Sequence, residues 1–276
     1  MEEIREQIPK VIHYCWFGRG EKPDVIKNCM KSWKEKCPDY EIIEWNEDNF
    51  DVNYNQFTKD AYSAKKYAFV SDVARLWIIY NYGGTYLDTD VELKVSLDEL
   101  NNNQAWFASD NAIAVNTGLG FAAVKGNKVV KALLDDYNGR DYDRTFCVTL
   151  NTNVIKKLFP NINYFGETQV IDGIRFIGSD DYGKYARHLY TATHFDEKQR
   201  QKKNRLDNKP KWYRVFKWKV FCKMQHPKLL HYAETHNNFL SKFYMFFVFD
   251  AWYGGFGRWF QLIGSRFKRK KKPDNT

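Results

Sequence analysis

The sequence predicts an α/β fold, a mostly parallel central sheet flanked by helices, followed by a basic, aromatic α-helical extension at the C-terminus. Three observations carry that expectation. Short apolar runs alternate with helix-period stretches over the first two thirds of the chain, the pattern of strands joined by crossover helices. The 276 residues are 43% apolar, enough to bury a full core. The net charge of +9 is unevenly placed, with dense clusters at residues 198–219 and 266–272.

Taken in order, residues 11–16 and 40–45 read as two buried strands. A helix over 24–37 separates them, and Pro38 closes it. Residues 54–67 and 71–80 read as consecutive helices, with Ser71 as the cap of the second and Asp72 in its first turn. Val73, Leu76, Trp77 and Tyr80 recur at the spacing of one buried face, and Gly83 and Gly84 end the helix. Thr85, Tyr86 and Leu87 then form a short buried strand. Further strands are expected at 105–108, 112–115 and 119–124, helices at 128–137 and 148–159, and a strand at 188–194. No internal repeat is evident. The composition shifts near Phe195, which divides the chain into a globular domain, 1–195, and an extension, 196–276.

The stretch 71–90 concentrates the chemistry. On an extended chain, residues two apart point the same way, so Asp88 and Asp90 converge. Two hard carboxylates at a strand end suit Mg²⁺ or Mn²⁺, which such sites usually hold together with nucleotide phosphates. Asp72 and Arg75, one turn apart, share a helix face and are positioned to line the same pocket. A lone Asp-x-Asp is common in loops, so its context decides its meaning.

That context, Ser71-Asp72-x-x-Arg75 followed by Tyr82-Gly83-Gly84-x-Tyr86-Leu87-Asp88-x-Asp90, resembles the donor-sugar site of glycosyltransferase family 32, the capsular-polysaccharide and mannosyltransferase-like group. The resemblance begins at Ile8-Pro9-Lys10-Val11-Ile12-His13. It runs through Trp16-Phe17-Gly18, Trp33, Pro38, Tyr40 and Trp45-Asn46, and extends more faintly to about Asn127. It implies a GT-A fold and a metal-dependent transferase that moves a hexose from a nucleotide sugar, a UDP- or GDP-hexose, with retention of anomeric configuration. Asp88 and Asp90 would hold the metal. Asp72 would accept from sugar hydroxyls and Arg75 would pair with sugar or phosphate oxygens. Trp16 resembles the ring that stacks on the base, and a core position is an equal reading of it. Ser71, Tyr86 and Asn116 complete the candidate donor-binding set, although Asn116-Thr117-Gly118 is also ordinary turn chemistry. Family members often carry a C-terminal Ala-x-His-His-x-x-x-Ser-Trp pattern whose histidine completes the metal shell. Here Ala192-Thr193-His194-Phe195 is followed by Lys198 and Gln199, so His194 is the candidate third ligand while the second His and the Ser-Trp are missing. His13 and His188 show no partner in the sequence.

The five cysteines are odd in number and scattered, which argues for a reducing compartment and against structural zinc. Residues 1–7 are charged and the apolar character starts at Ile8, so a cytoplasmic, bacterial enzyme is expected. Residues 239–263 are aromatic but contain Lys242, Asp250, Arg258 and three glycines, a poor spanning helix and a better interfacial one. With the terminal basic run they suggest an anionic membrane surface, at the inner face of the plasma membrane, and not nucleic acid. The acceptor expected there is a capsular or exopolysaccharide glycan, or a polyprenyl-diphosphate-linked oligosaccharide. Two other classes fit parts of the sequence: a two-metal nucleotidyltransferase, and a non-enzymatic peripheral membrane or polyanion-binding protein.

Overall fold

The structure, a computed structural model, describes residues 7–110, 114–142, 145, 147–162 and 167–191. These belong to the first of two units of the chain, Met1–His194. The candidate ligand His194 and the extension after Phe195 lie outside the described residues.

The chain begins with β1 (Val11–Cys15), α1 (Asp24–Lys36) and β2 (Glu41–Trp45), then α2 (Gln56–Ser63), α3 (Tyr67–Tyr82), β3 (Gly84–Tyr86) and β4 (Val91–Leu93). After them come β5 (Ala105–Asp110), β6 (Ala114–Val115), β7 (Phe121–Ala123), α4 (Lys128–Asn138) and α5 (Cys147–Leu158). The last elements are β8 (Gln169–Ile171), β9 (Ile174–Ile177), α6 (Ser179–Tyr185) and β10 (Ala186–His188). The main sheet runs β2-β1-β3-β7-β5-β9-β8, with β6 paired to β5. β1 is parallel to β2 and β3, β7 antiparallel to β3 and β5, and β5 parallel to β9. Strands β2, β1, β3, β5 and β9 therefore run one way, and their carboxyl ends share one edge. This is an α/β arrangement, a central sheet with five strands running one way and helices on its faces. Among the described residues no helix is long and apolar enough to cross a membrane.

Both sheet faces are covered, and alternation along the strands shows it. Ala105 and Phe107 of β5 pack with α3, α4 and α5 residues in one apolar cluster, while Trp106 and Ala108 pack in the other with residues of α1, β4 and α6. A strand buried on both sides reads as a continuous apolar run, as β5 does. Across β7-β5-β9, Phe107 stacks between Phe121 at 5.7 Å and Phe176 at 5.8 Å. Such aromatic pairs add roughly 0.5–1.5 kcal/mol beyond the area they bury.

Two expected boundaries move. The helix read over 54–67 is α2, where the Asn55 side chain accepts from the Thr58 N–H and the Thr58 hydroxyl accepts from the Asn55 N–H. Its neighbour α3 starts at Tyr67, so Ser71 is not its cap. Ser71 sits in the second turn and its hydroxyl donates back to the Tyr67 carbonyl at 3.1 Å. The apolar start Tyr67-Ala-Phe-Val joins the buried face and outweighs the capping signal. Of the strand expected at 188–194 only His188 lies in a strand, at the end of β10, which pairs with β4; residues 189–191 are irregular and 192–194 lie outside the described residues.

Gly84 joins α3 to the motif strand in a conformation with φ +97°, and a Cβ there would meet the Val11 carbonyl at 2.9 Å and His13 Nε2 at 3.0 Å. His13 explains the crowding. Trp45 Nε1–H donates to His13 Nδ1 at 3.0 Å, which leaves the proton on Nε2, facing the Gly83 carbonyl at 3.1 Å. A proton added at Nδ1 would confront the indole N–H. Burial lowers the His13 pKa from 6.5 to about 4, with the Gly83 hydrogen bond opposing. The unfolded chain therefore takes up this proton first. Stability is fully present above pH 6.5 and falls as pH drops toward 4, by up to about 3 kcal/mol for the difference between those two values. In chemical denaturation across that window, His13→Gln is expected to lose about one proton's worth of the slope seen in the wild type. An identical slope in both would show that His13 is not held neutral.

Candidate active site

The motif strand β3 leaves the sheet between β1 and β7, and Leu87, the first residue beyond it, bonds the His13 carbonyl through its N–H at 3.1 Å. Asp88 and Asp90 converge, but not on an extended chain. The backbone turns, with the Val91 N–H donating to the Asp88 carbonyl at 3.0 Å. Trp33 of α1 donates its indole N–H to the Val91 carbonyl at 2.7 Å, and Ser32 Oγ accepts the Leu93 N–H at 2.9 Å. The turn is thereby anchored on both sides.

Beneath it lies a buried charge cluster. Arg75 Nη2 donates to Asp72 Oδ1 at 2.6 Å and stands 3.5 Å from Asp88 Oδ1, while its Nε donates to the Ser71 carbonyl at 3.0 Å. Its guanidinium lies 5.0 Å from the centre of the Tyr86 ring, whose hydroxyl donates to Asp88 Oδ1 at 3.1 Å. Tyr86 is fully buried, so it holds Asp88 from below. The side chains of Arg75 and Asp72 are 4% and 9% exposed, against 30% for Asp88, which makes Asp88 the open end of the cluster. Burial works against the guanidinium charge, but Asp88, Tyr86 and Asp72 outweigh it and hold Arg75 protonated. Burial raises Asp72 to about 6; Arg75 opposes that rise and Asp88 adds to it. The Nη1 group of Arg75 is buried with no partner among the described residues.

Asp90 is held differently. His188 Nε2 lies 2.9 Å from its Oδ1, and Thr191 donates through both its N–H, at 2.8 Å, and its hydroxyl, at 2.9 Å, to Oδ2. Burial raises the Asp90 pKa, but these hydrogen bonds more than reverse it and bring it down to about 2. The pairing of β10 with β4 produces the contact, since His188 stands opposite Val91 and the Leu189 N–H bonds the Asp90 carbonyl at 2.9 Å. The sequence offered no partner for His188. Its signal was the short apolar run after Asp90 that becomes β4, too short to be read as a strand.

Ligand atoms of Asp88, Asp90 and His188 all lie within 4.8 Å of one another. Two carboxylates and an imidazole suit Mn²⁺, Mg²⁺ or Zn²⁺. The charge balance agrees, because Asp72, Asp88 and Asp90 set three negative charges against one on Arg75. The fourth wall is the turn at Asn116. Its Oδ1 accepts the N–H groups of Gly118, at 2.9 Å, and Leu119, at 3.3 Å, so the turn reading of Asn116-Thr117-Gly118 holds. The Gly118 carbonyl accepts the Asp88 N–H at 3.0 Å, and a Cβ on Gly118 would lie 2.2 Å from Asp88 Oδ2 and 2.7 Å from Arg75 Nη1. Asn151 of α5 fastens the turn from behind, donating to Thr117 Oγ1 at 2.8 Å. Trp16, at the end of β1, is half-buried and donates its indole N–H to the Gly20 carbonyl at 2.7 Å.

Residues 23–107 match the family model for the "glycosyltransferase sugar-binding region containing DXD motif". Inositol phosphoceramide mannosyltransferase 3 of Schizosaccharomyces pombe is 33% identical over 124 residues, 42% of this chain and 33% of its own length. Inositol phosphoceramide mannosyltransferase 2 of the same yeast is 34% identical over 115 residues, 40% of this chain and 32% of its own. The chain thus spans about a third of the length of these relatives. Among solved structures it is similar to a PaToxG glycosyltransferase, with a TM-score of 0.46 and 18% identity, covering 57% of this chain and 72% of that one. The matched region contains Asp88-Thr89-Asp90, a sequence of the Asp-x-Asp form for which that family model is described.

Proposed function

We propose that the protein is a metal-dependent, retaining hexosyltransferase that draws on a nucleotide sugar and glycosylates a surface-glycan acceptor, lipid-linked and presented at the cytoplasmic face of a bacterial membrane. The observation that carries this reading is the meeting of Asp88, Asp90 and His188 on top of the Asp72–Arg75 pair, at the shared carboxyl edge of the strands where α/β folds bind ligands. A two-metal nucleotidyltransferase would call for further carboxylates beside the pair, and the third group here is an imidazole.

A divalent cation held by Asp88, Asp90 and His188 would neutralise the charge that develops on a departing diphosphate. The protein's own groups do the rest. Arg75, kept charged by its two carboxylates, retains an unpartnered Nη1 donor for phosphate or sugar oxygens, and Asp72 fixes the guanidinium plane. Tyr86 keeps Asp88 aimed out of the cluster, and Gly118 leaves the clearance that a side chain would fill. With Asp88 and Asp90 committed to the cation, we favour front-face substitution. The bond from the anomeric carbon to the phosphate oxygen breaks, a bond to the acceptor oxygen forms, and the acceptor proton passes to the leaving diphosphate. The C-terminal basic and aromatic residues supply the attraction to an anionic leaflet, about 1 kcal/mol per basic residue near the surface.

Three outcomes are expected. In calorimetry with Mn²⁺ and a nucleoside diphosphate, Asp90→Asn and His188→Ala each weaken metal uptake at least tenfold, and EDTA stops sugar release from the wild type; unaltered uptake in both variants would remove the metal site. Gly118→Ala lowers nucleotide-sugar hydrolysis about 100-fold, the effect of roughly 1 Å of displacement at Asp88, with little loss of thermal stability. Wild-type turnover in that variant would show that the clearance is unused. Truncation after Phe239 frees the protein from anionic vesicles in sedimentation, and undiminished co-sedimentation would detach the membrane from the account.

A further inference from the structure

The segment that supplies His188 to the cation site also carries an aromatic ring. Tyr190, two residues further on, is one of four non-glycine residues in the left-handed region among the described residues, with φ +49°. That backbone is rare for a bulky side chain and persists only where its surroundings impose it. Asp90 imposes it from both sides. The Leu189 N–H donates to the Asp90 carbonyl at 2.9 Å, and Thr191 donates to Asp90 Oδ2 through its N–H, at 2.8 Å, and its hydroxyl, at 2.9 Å. Tyr190 is therefore held between two fixed neighbours.

The bend brings the ring to the site. Its centre lies 4.1 Å from that of the His188 ring, at a tilt of 44°, and His188 Nε2 lies 2.9 Å from Asp90 Oδ1. Yet Tyr190 is 47% exposed, whereas the side chains of His188 and Asp90 are 11% and 12% exposed. With nearly half of the residue left in water, burial alone does not account for a strained backbone that places it there.

The two halves of the site say what the ring can meet. Arg75 and Asp72, the groups for the donor's phosphate and sugar oxygens, lie on the Asp88 side. Tyr190 belongs to the Asp90 side, where β10 pairs with β4. In a front-face substitution the acceptor hydroxyl arrives on the same face of the anomeric carbon as the departing diphosphate, so the acceptor ring must lie beside the cation. A pyranose presents a face of C–H bonds, apolar and weakly positive, which matches the negative face of an aromatic ring.

We propose that Tyr190 is the platform on which the acceptor sugar stacks. The proposal rests on the nucleotide-sugar reading above and specifies where its acceptor, a pyranoside, is held. The same three hydrogen bonds then serve two ends: they orient Asp90 and they place the ring.

The test gives the full chain two competing acceptors, water and a simple glycoside. The protein is incubated in Mn²⁺ with each of UDP-glucose, UDP-galactose and GDP-mannose, with the methyl α-glycosides of glucose, galactose and mannose present in turn, and free sugar and transfer product are both measured. At least one glycoside should yield transfer product in the wild type. Tyr190→Asn suits the left-handed backbone but lacks the ring, so the ratio of transfer to hydrolysis should fall about tenfold through a higher KM for that glycoside. Tyr190→Phe should restore the ratio. Hydrolysis with transfer to none of the glycosides, a ratio unmoved in Tyr190→Asn, or transfer and hydrolysis falling together, as they would if the ring served only to steady His188, would each overturn the acceptor assignment and leave a nucleotide-sugar transferase in place. Hydrolysis of none of the three donors would overturn both.

Discussion

The site depends on one buried cation. Arg75 sits almost wholly inside the domain, and a lone guanidinium there would be prohibitively desolvated. Asp72 and Asp88 make it tenable from either side, at 2.6 and 3.5 Å. The same pairing fixes Asp88, since a carboxylate engaged by Arg75 and by the Tyr86 hydroxyl has little rotational freedom left. The order of causes runs from helix to strand to chemistry. The one-turn spacing on α3 places Asp72 against Arg75, β3 delivers Asp88 to the pair, and Asp88 is the member that meets solvent. The two partners are unequally placed: Asp72 lies deep enough for its pKa to rise to about 6, while Asp90, outside the cluster, is drawn down to about 2.

Asp90 is managed by a distant segment. The pairing of β10 with β4 brings His188 and Thr191 onto it from a hundred residues away, occupying both carboxylate oxygens. A carboxylate held in one orientation costs little further ordering when it takes up a cation, and the imidazole already in place supplies a further ligand atom. The wall opposite is made by absence of a side chain: Gly118 lets the 116–119 turn approach Asp88 and Arg75 more closely than any other residue would.

Much of this was legible in the sequence, for identifiable reasons. Helix α1, strands β1 and β2 and the Asp72–Arg75 relation follow from local periodicity, and they stand where periodicity put them. The convergence of Asp88 and Asp90 was foreseen with the wrong backbone: the two acids meet across a turn. Ser71 misled because a Ser-Asp pair looks like a helix start, whereas Tyr67 to Val70 are apolar enough to extend the helix backwards into the core. His188 was invisible because its partnership depends on a two-stranded pairing of three-residue strands, below the length at which alternation means anything.

The most direct test of the account is anomalous diffraction from crystals of the protein grown with Mn²⁺ and a nucleoside diphosphate. The account predicts a manganese peak at bonding distance from Asp88, Asp90 and His188, with the diphosphate on the Arg75 side. A peak located elsewhere, or fully ordered nucleotide with no manganese at these three residues, would contradict it.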